Sequence, residues 1–161
     1  MESGDELRFD RGEATPERLK GQFSRLVGMT AVQTRRVASE ALGRVGAHKD
    51  HFVVLAVLDE FGPASQATLA DRTRVYRSNL VAILDDLEND GRIRRAPDPA
   101  DKRRNVITIT ESGERRLDEL GRVLDDVNDR VLAPLDHEER ARLFALLGRV
   151  NGYLDDGFEK R

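Results

Sequence analysis

Asp98-Pro99-Ala100-Asp101-Lys102-Arg103-Arg104-Asn105-Val106-Ile107-Thr108-Ile109-Thr110 reads as a tight basic loop feeding a short strand. Pro97 and Pro99 bracket the turn, because proline presets φ and lacks the N–H that a ladder needs. Val106, Ile107 and Ile109 are β-branched and favour an extended, pleated backbone. Residues 92–96 form a second extended run, so the two predict a hairpin. Just before it, residues 73–91 read as one amphipathic helix whose leading end is uncharged to basic. A helix that can enter a groove, followed by a basic hairpin that can straddle a backbone, points to DNA binding.

Working outward, Ser65 caps a short predicted helix over 66–72, and a turn of three or four residues leads into the next helix. Leu69-Ala70 followed by Val75, Leu80 and Ile83 reproduces a helix-turn-helix register, in which the small Ala lets the second helix cross closely. Arg74 occupies the turn position that often takes a left-handed conformation, at a cost on the order of 1 kcal/mol for a non-glycine residue. With Leu80, Ile83, Leu84 and Leu87 facing the core, Tyr76, Arg77, Ser78, Asn79 and Val81 face out. Arg77 suits a bidentate contact to guanine, Asn79 one to adenine, and Ser78 a base or a phosphate. Tyr76 packs on a sugar or a thymine methyl, or serves only as a cap-packing aromatic. Arg74 joins these residues as a candidate DNA contact.

Thr15-Pro16-Glu17 predicts a helix start with Thr15 as N-cap, and that helix runs to about Arg44. A further helix spans 49–60 and ends at Gly62-Pro63. Residues 110–114 open a long helix whose Leu117, Leu120, Leu124, Val127 and Val131 follow the 3,4 rhythm of a helix–helix seam. Pro134 breaks it, and residues 136–139 form a capping box with Asp in place of Ser or Thr. Leu143, Leu147, Val150 and Leu154 form the next stripe. Such seams serve an intramolecular bundle or a dimer interface, and the dimer is the favoured reading. The expected organisation is a flexible N-terminus at 1–14, a helical dimerisation region at 15–46 and 111–161, and a winged-helix domain at 47–110.

Composition narrows the function further. The 161 residues contain 39% hydrophobic and 35% charged side chains, no Trp and no Cys, which suits one helix-rich domain and excludes disulfides and thiolate metal sites. No apolar run approaches the ~20 residues that span a bilayer, and residues 1–14 are too polar for a signal peptide. A cytoplasmic protein with no membrane partner is expected. The formal net charge is −3, yet residues 64–110 carry 9 basic and 7 acidic side chains, the only positive third of the chain. A local positive field on an acidic body favours oriented approach to phosphate. His48 and His51 are spaced for one helical face, but His137 is the only other histidine, so no metal site is assigned. Glycine-rich phosphate loops and nucleophilic triad motifs are absent. Neither an enzyme nor a cofactor is expected.

Gln66…Leu69-Ala70, Leu84…Leu87-Glu88…Gly91, Arg95, the run from Asp98 to Arg103, and Ile109-Thr110-Glu111-Ser112-Gly113 resemble, in order and spacing, the MarR family of bacterial transcription regulators. The resemblance extends over about residues 15–155. It implies a mostly α fold with a small β-hairpin wing, a winged helix-turn-helix flanked by N- and C-terminal dimerisation helices. It further implies a homodimeric, ligand-responsive repressor on a pseudo-palindromic operator, with a recognition helix in the major groove and a wing over the adjacent minor groove. By position, Arg103 is the wing arginine and Asp101 its brace, while Lys102 and Arg104 contact phosphate. Ser65 and Gln66 open a helix whose N-terminus meets another phosphate. A small aromatic or lipophilic effector would lie near Phe23, Met29, His48, His51 and Phe52. The chain departs from the family pattern at Tyr76 and Asn79. It departs again at Arg92, where an apolar residue is usual, which predicts a more solvated first wing strand. The alternative function is a winged-helix protein-interaction module without sequence-specific DNA binding.

Overall fold

The computed structural model describes residues 15–102 and 104–155. The expectations for residues 1–14 and for Arg103 lie outside the described residues. In chain order the elements are α1 (Glu17–Lys20), α2 (Phe23–Arg44), α3 (Lys49–Phe61), β1 (Ala64–Ser65), α4 (Gln66–Thr73), α5 (Arg77–Asn89), β2 (Ile93–Pro97), β3 (Asn105–Ile109), α6 (Glu111–Val131) and α7 (His137–Asp155). The fold is mostly helical with a small three-stranded antiparallel sheet in the order β1-β3-β2. None of the described helices is long and apolar enough to cross a membrane.

Two compact units divide the chain, one ending at Asp125 and the other beginning at Asp126. In the first unit, Leu42, Val54, Leu55, Leu58, Leu69, Leu80, Leu84, Ile107 and Leu120 are fully buried. They come from α2, α3, α4, α5, β3 and α6, so one core joins the winged-helix elements to the end of α2 and the first half of α6. Leu117 and Leu124 pack against that core, which assigns the first part of the α6 seam to the interior of the unit. In the second unit, Asp136 and Glu139 form the expected reciprocal cap: each backbone N–H donates to the other's carboxylate at 2.9 Å. Arg140 closes the turn before α7 by donating to the Leu132 and Leu135 carbonyls and pairing with Asp129 at 2.7 Å. α7 buries none of its residues.

Four local readings need correction. The first helix does not run unbroken from Thr15: Pro16 is the N-cap, without a side-chain cap bond, and the chain breaks at Gly21-Gln22 before α2. Glycine in a helix interior loses the most backbone entropy, and Gly21 interrupts the run. Residues 73–91 are not one helix, because Thr73 ends α4 and residues 74–76 form the turn before α5. The wing is not a bare hairpin, because β1 adds to β3 with Ala64 opposite Ile107 and Ser65 opposite Val106. Arg92 does not solvate the first wing strand. It precedes β2 and its guanidinium turns back to Ser112, reaching the hydroxyl at 2.6 Å and the carbonyl at 3.2 Å.

One glycine is required by contact. A Cβ on Gly113 would overlap the Arg92 carbonyl oxygen and come within 2.7 Å of the Ile109 side chain. A Cβ on Gly121, in the middle of α6, would meet only Phe52 at 3.9 Å. Gly113→Ala should therefore lower unfolding stability by about 1–3 kcal/mol through overpacking, while Gly121→Ala should raise it by about 0.5–1 kcal/mol through helix propensity. Denaturant titration of the two variants checks the opposite signs.

Candidate nucleic-acid interface

The α4–turn–α5 unit is set by local hydrogen bonds. The Ser65 hydroxyl accepts the Thr68 N–H at 3.1 Å and caps α4, leaving Gln66 exposed at its first turn. Thr73 closes the other end: its hydroxyl donates to the Leu69 carbonyl at 2.7 Å and accepts the Val75 N–H at 3.3 Å. Arg74 then turns left-handed at φ 55°, ψ 19°, the conformation expected of the helix-turn-helix bend. Tyr76 precedes α5, and its carbonyl accepts the N–H groups of Asn79 and Leu80 at 2.9 Å each.

The two faces of α5 separate cleanly. Leu80, Ile83, Leu84 and Leu87 are buried. Tyr76 is 81% exposed, and Arg77, Ser78, Asn79 and Val81 are exposed beside it. The first turn of α5 holds no acid and has no side-chain cap, so its unpaired N–H groups and positive dipole end favour an approaching anion.

Beside α5 stands the wing, with β2 and β3 in register from Ile93–Ile109 to Pro97–Asn105. At its tip, Asp98 accepts the Ala100 N–H on its carboxylate at 2.8 Å and donates its own N–H to the Arg104 carbonyl at 2.8 Å. Asp101 accepts the Arg104 N–H on its carbonyl at 2.9 Å, and its carboxylate lies 3.6 Å from the Arg104 Nε. Lys102 and Arg104 are exposed.

Sequence reasoning assigned no role to Arg95. Its guanidinium bridges Asp85 at 2.7 Å and Glu88 at 3.0 Å, and its backbone N–H donates to Glu88 at 3.2 Å. The available signal was the spacing of Asp85 and Glu88, three apart on one helical face, but nothing in it names an arginine seven residues further on. Ser65, Gln66, Val81, Asp85, Arg95 and Arg104 line one cleft of about 470 Å³, so α4, α5 and the wing present a single concave surface.

The effector candidates scatter. Phe52 lines an open cleft of about 650 Å³ with Ala56, Leu117 and Gly121, rimmed by Asp118 and Arg122. His48 and His51 cap α3 instead: the His48 Nδ1 accepts the Asp50 N–H at 3.3 Å and the His51 Nδ1 accepts the His48 N–H at 3.1 Å. With Nδ1 an acceptor, the neutral His51 ring carries its proton on Nε2, which faces the Asp86 carboxylate at 3.7 Å. Burial holds the His51 pKa below its ordinary 6.5, and the Asp86 charge offsets part of that. Phe23 stands 58% exposed on α2, and Met29, on the same helix, is half-buried.

A family model described as the MarR family matches residues 49–104, about a third of the chain. The transcriptional repressor NicR of Pseudomonas putida is 30% identical over 62% of this chain, and the match spans 63% of its own length. The uncharacterised regulator YcgE of Bacillus subtilis is 25% identical over 89% of this chain and 92% of its own. Apo MarR of Escherichia coli superposes with a TM-score of 0.71 at 25% identity, covering 80% of this chain and 96% of that one. A mutant of the same protein complexed with operator DNA superposes at 0.66, again at 25% identity, covering 79% and 91%.

Two stability effects follow from the turn and the cap. Arg74→Gly should raise unfolding stability by up to about 1 kcal/mol by relieving the left-handed strain, read as a higher denaturant midpoint. For His51, the unfolded chain takes up a proton at higher pH than the folded one. Stability should thus be fully present above pH 6.5 and fall as pH drops through that value toward the depressed folded pKa. Urea midpoints from pH 8 to pH 5 should show a shallower acid loss for His51→Gln than for the parent chain.

Proposed function

We propose that the chain is a MarR-family regulator, the family its matches point to, and that it is a homodimeric, ligand-responsive repressor that binds a pseudo-palindromic operator in double-stranded DNA. The observation that carries this reading is the α5 surface: four exposed side chains, Arg77, Ser78, Asn79 and Val81, back directly onto four buried ones. A helix so divided is held rigidly by its core face while its N-terminal half is free to meet base edges. Arg77 forks onto guanine O6 and N7, Asn79 pairs with adenine N6 and N7, and Ser78 takes a base or a phosphate. Tyr76, at the start of the same surface, packs on sugar or a thymine methyl.

The remaining contacts set position rather than sequence. The N–H groups at the start of α4, with Ser65 and Gln66, meet one phosphate. Arg74 lies in the turn between the two helices and meets another. Lys102 and Arg104 clamp the backbone on either side of Arg103, which enters the minor groove, where narrowing concentrates negative potential. Asp101 braces this group of cations at the wing tip.

Dimerisation and ligand response rest on two further surfaces. Phe23, Leu26, Val27 and Val32 on α2, and Phe144, Leu147, Val150 and Leu154 on α7, are exposed in the single chain. Exposed apolar side chains of this kind support a dimer interface formed from residues 15–46 and 111–161. The Phe52 cleft takes a small aromatic or lipophilic effector, and the other candidate contacts are Phe23 and Met29 on α2 and His48 and His51 at the start of α3.

Selection from a random duplex pool tests the reading. Enrichment of one inverted repeat, with half-sites about 10 base pairs apart centre to centre, is the expected result. Failure to enrich any motif at low salt would replace it with a winged-helix protein-interaction module. On the selected duplex, Arg77→Ala should cost about 1–3 kcal/mol and relax preference at one base pair. Arg103→Ala should weaken binding to all sequences and lower the salt slope by about 1.

A further inference from the structure

We propose that Arg95 is a positioning residue for DNA binding: it clamps the wing to the reading helix through Asp85 and Glu88 and cancels the Asp85 carboxylate, which would otherwise face the DNA. This rests on the reading of α5 as the base-contacting helix. Asp85 follows Val81 by four residues, so it continues the exposed reading face by one turn. Asp85 lines the same cleft as Gln66, Val81 and Arg104, where an uncompensated carboxylate would repel the phosphates those neighbours meet. Glu88 lies one turn further on, half-buried beneath β2.

Arg95 answers both acids. Its Nη2 lies 2.7 Å from the Asp85 Oδ1 and its Nη1 lies 3.0 Å from the Glu88 Oε2, with only 23% of its side chain exposed. The second Glu88 oxygen accepts the Arg95 backbone N–H, so Glu88 holds both the strand and the side chain. A planar guanidinium satisfies two carboxylates in one geometry, which a lysine does not. Arg95 also faces Ile107 across the ladder, and Ile107 is a core residue. The clamp therefore connects α5 to the fixed part of the wing, away from its tip.

A double-mutant cycle on the selected duplex, read by fluorescence anisotropy at fixed salt, tests this. Arg95→Ala should weaken binding about tenfold or more by leaving the Asp85 carboxylate uncompensated. Asp85→Asn alone supplies the reference leg of the cycle, since it removes the charge and keeps a side-chain oxygen that can accept from Arg95. Combined with Arg95→Ala, Asp85→Asn should restore most of the loss. Additive effects in the cycle overturn the charge-cancelling role. The clamp is read separately, with no DNA present. Amide hydrogen exchange over 93–109 should accelerate in Arg95→Ala while amides of α3 hold, and unchanged protection overturns the clamp. If the parent chain selects no duplex, the DNA-binding reading fails and the charge-cancelling role with it, while the exchange result still decides the clamp.

Discussion

The structure turns on one crowded junction where the wing returns to the helical body. Thr110 leaves β3 and at once caps α6: its hydroxyl accepts the Gly113 N–H at 3.1 Å. The same hydroxyl lies 2.7 Å from the Gly91 carbonyl and 3.0 Å from that of Arg92, and the Thr110 N–H donates to Arg92 at 3.0 Å. The end of α5, the start of β2, the end of β3 and the start of α6 are thus tied within a few ångströms. Gly113 permits it by having no Cβ to strike the Arg92 carbonyl. With the base pinned, Ile93 must face Ile109 and Arg95 must face Ile107. A slip of one residue would send Ile93 and Ile107 from the core to solvent. The position of the Arg95 clamp on α5 is therefore a consequence of the junction three residues below it.

Magnitudes separate the two ends of the wing. At the base, Ile93 and Ile107 are buried, and a buried branched side chain contributes about 1.5–3 kcal/mol. Arg95 adds a charge-assisted bridge to two carboxylates and a third bond through its backbone, of a kind stronger than neutral hydrogen bonds. At the tip, the described residues are joined by two backbone hydrogen bonds between Arg104 and the Asp98 and Asp101 backbones, a local Asp98 turn and an Asp101–Arg104 pair at 3.6 Å. An exposed pair of that length contributes roughly 0–1 kcal/mol. The wing is accordingly set by buried side chains and a half-buried ion bridge where it meets α5, and by local bonds among residues close in sequence where it carries Lys102 and Arg104.

What was legible in the sequence is what repeats or is local. The buried and exposed faces of α5, the Ser65 cap, the left-handed Arg74 and the Asp136–Glu139 box all follow from spacings of four residues or fewer. The misses share a different cause. β1 is two residues long, too short for any periodicity, and exists only through pairing with β3. Arg92 meets Ser112 twenty residues away, so its position beside a strand gave the wrong sign for its solvation. Arg95 was visible as part of a pattern, but its partners lie on another element. By position, His48 and His51 read only as candidate effector contacts, and their capping role is hidden because imidazole is rare among the residues that cap helices. The Nδ1 of each accepts a backbone N–H at the start of α3.

Asp85 and Asp86 bring these strands of argument together. Adjacent residues on a helix point about 100° apart, so the two carboxylates cannot serve one substrate, but they can hold one helix from two sides. Asp85 is held by Arg95 of the wing, and Asp86 faces His51 of α3. Two anchors at different azimuths resist rotation of α5 about its axis, and rotation is the motion that would redirect its exposed Arg77 and Asn79. The anchors differ in strength: 2.7 Å to a permanent cation against 3.7 Å to an imidazole that is neutral near pH 7. Protonating His51 would draw it toward Asp86 while removing the Nδ1 lone pair that caps α3. Burial resists that exchange, so at neutral pH the structure keeps the α3 cap and leaves the azimuth of α5 chiefly to Arg95.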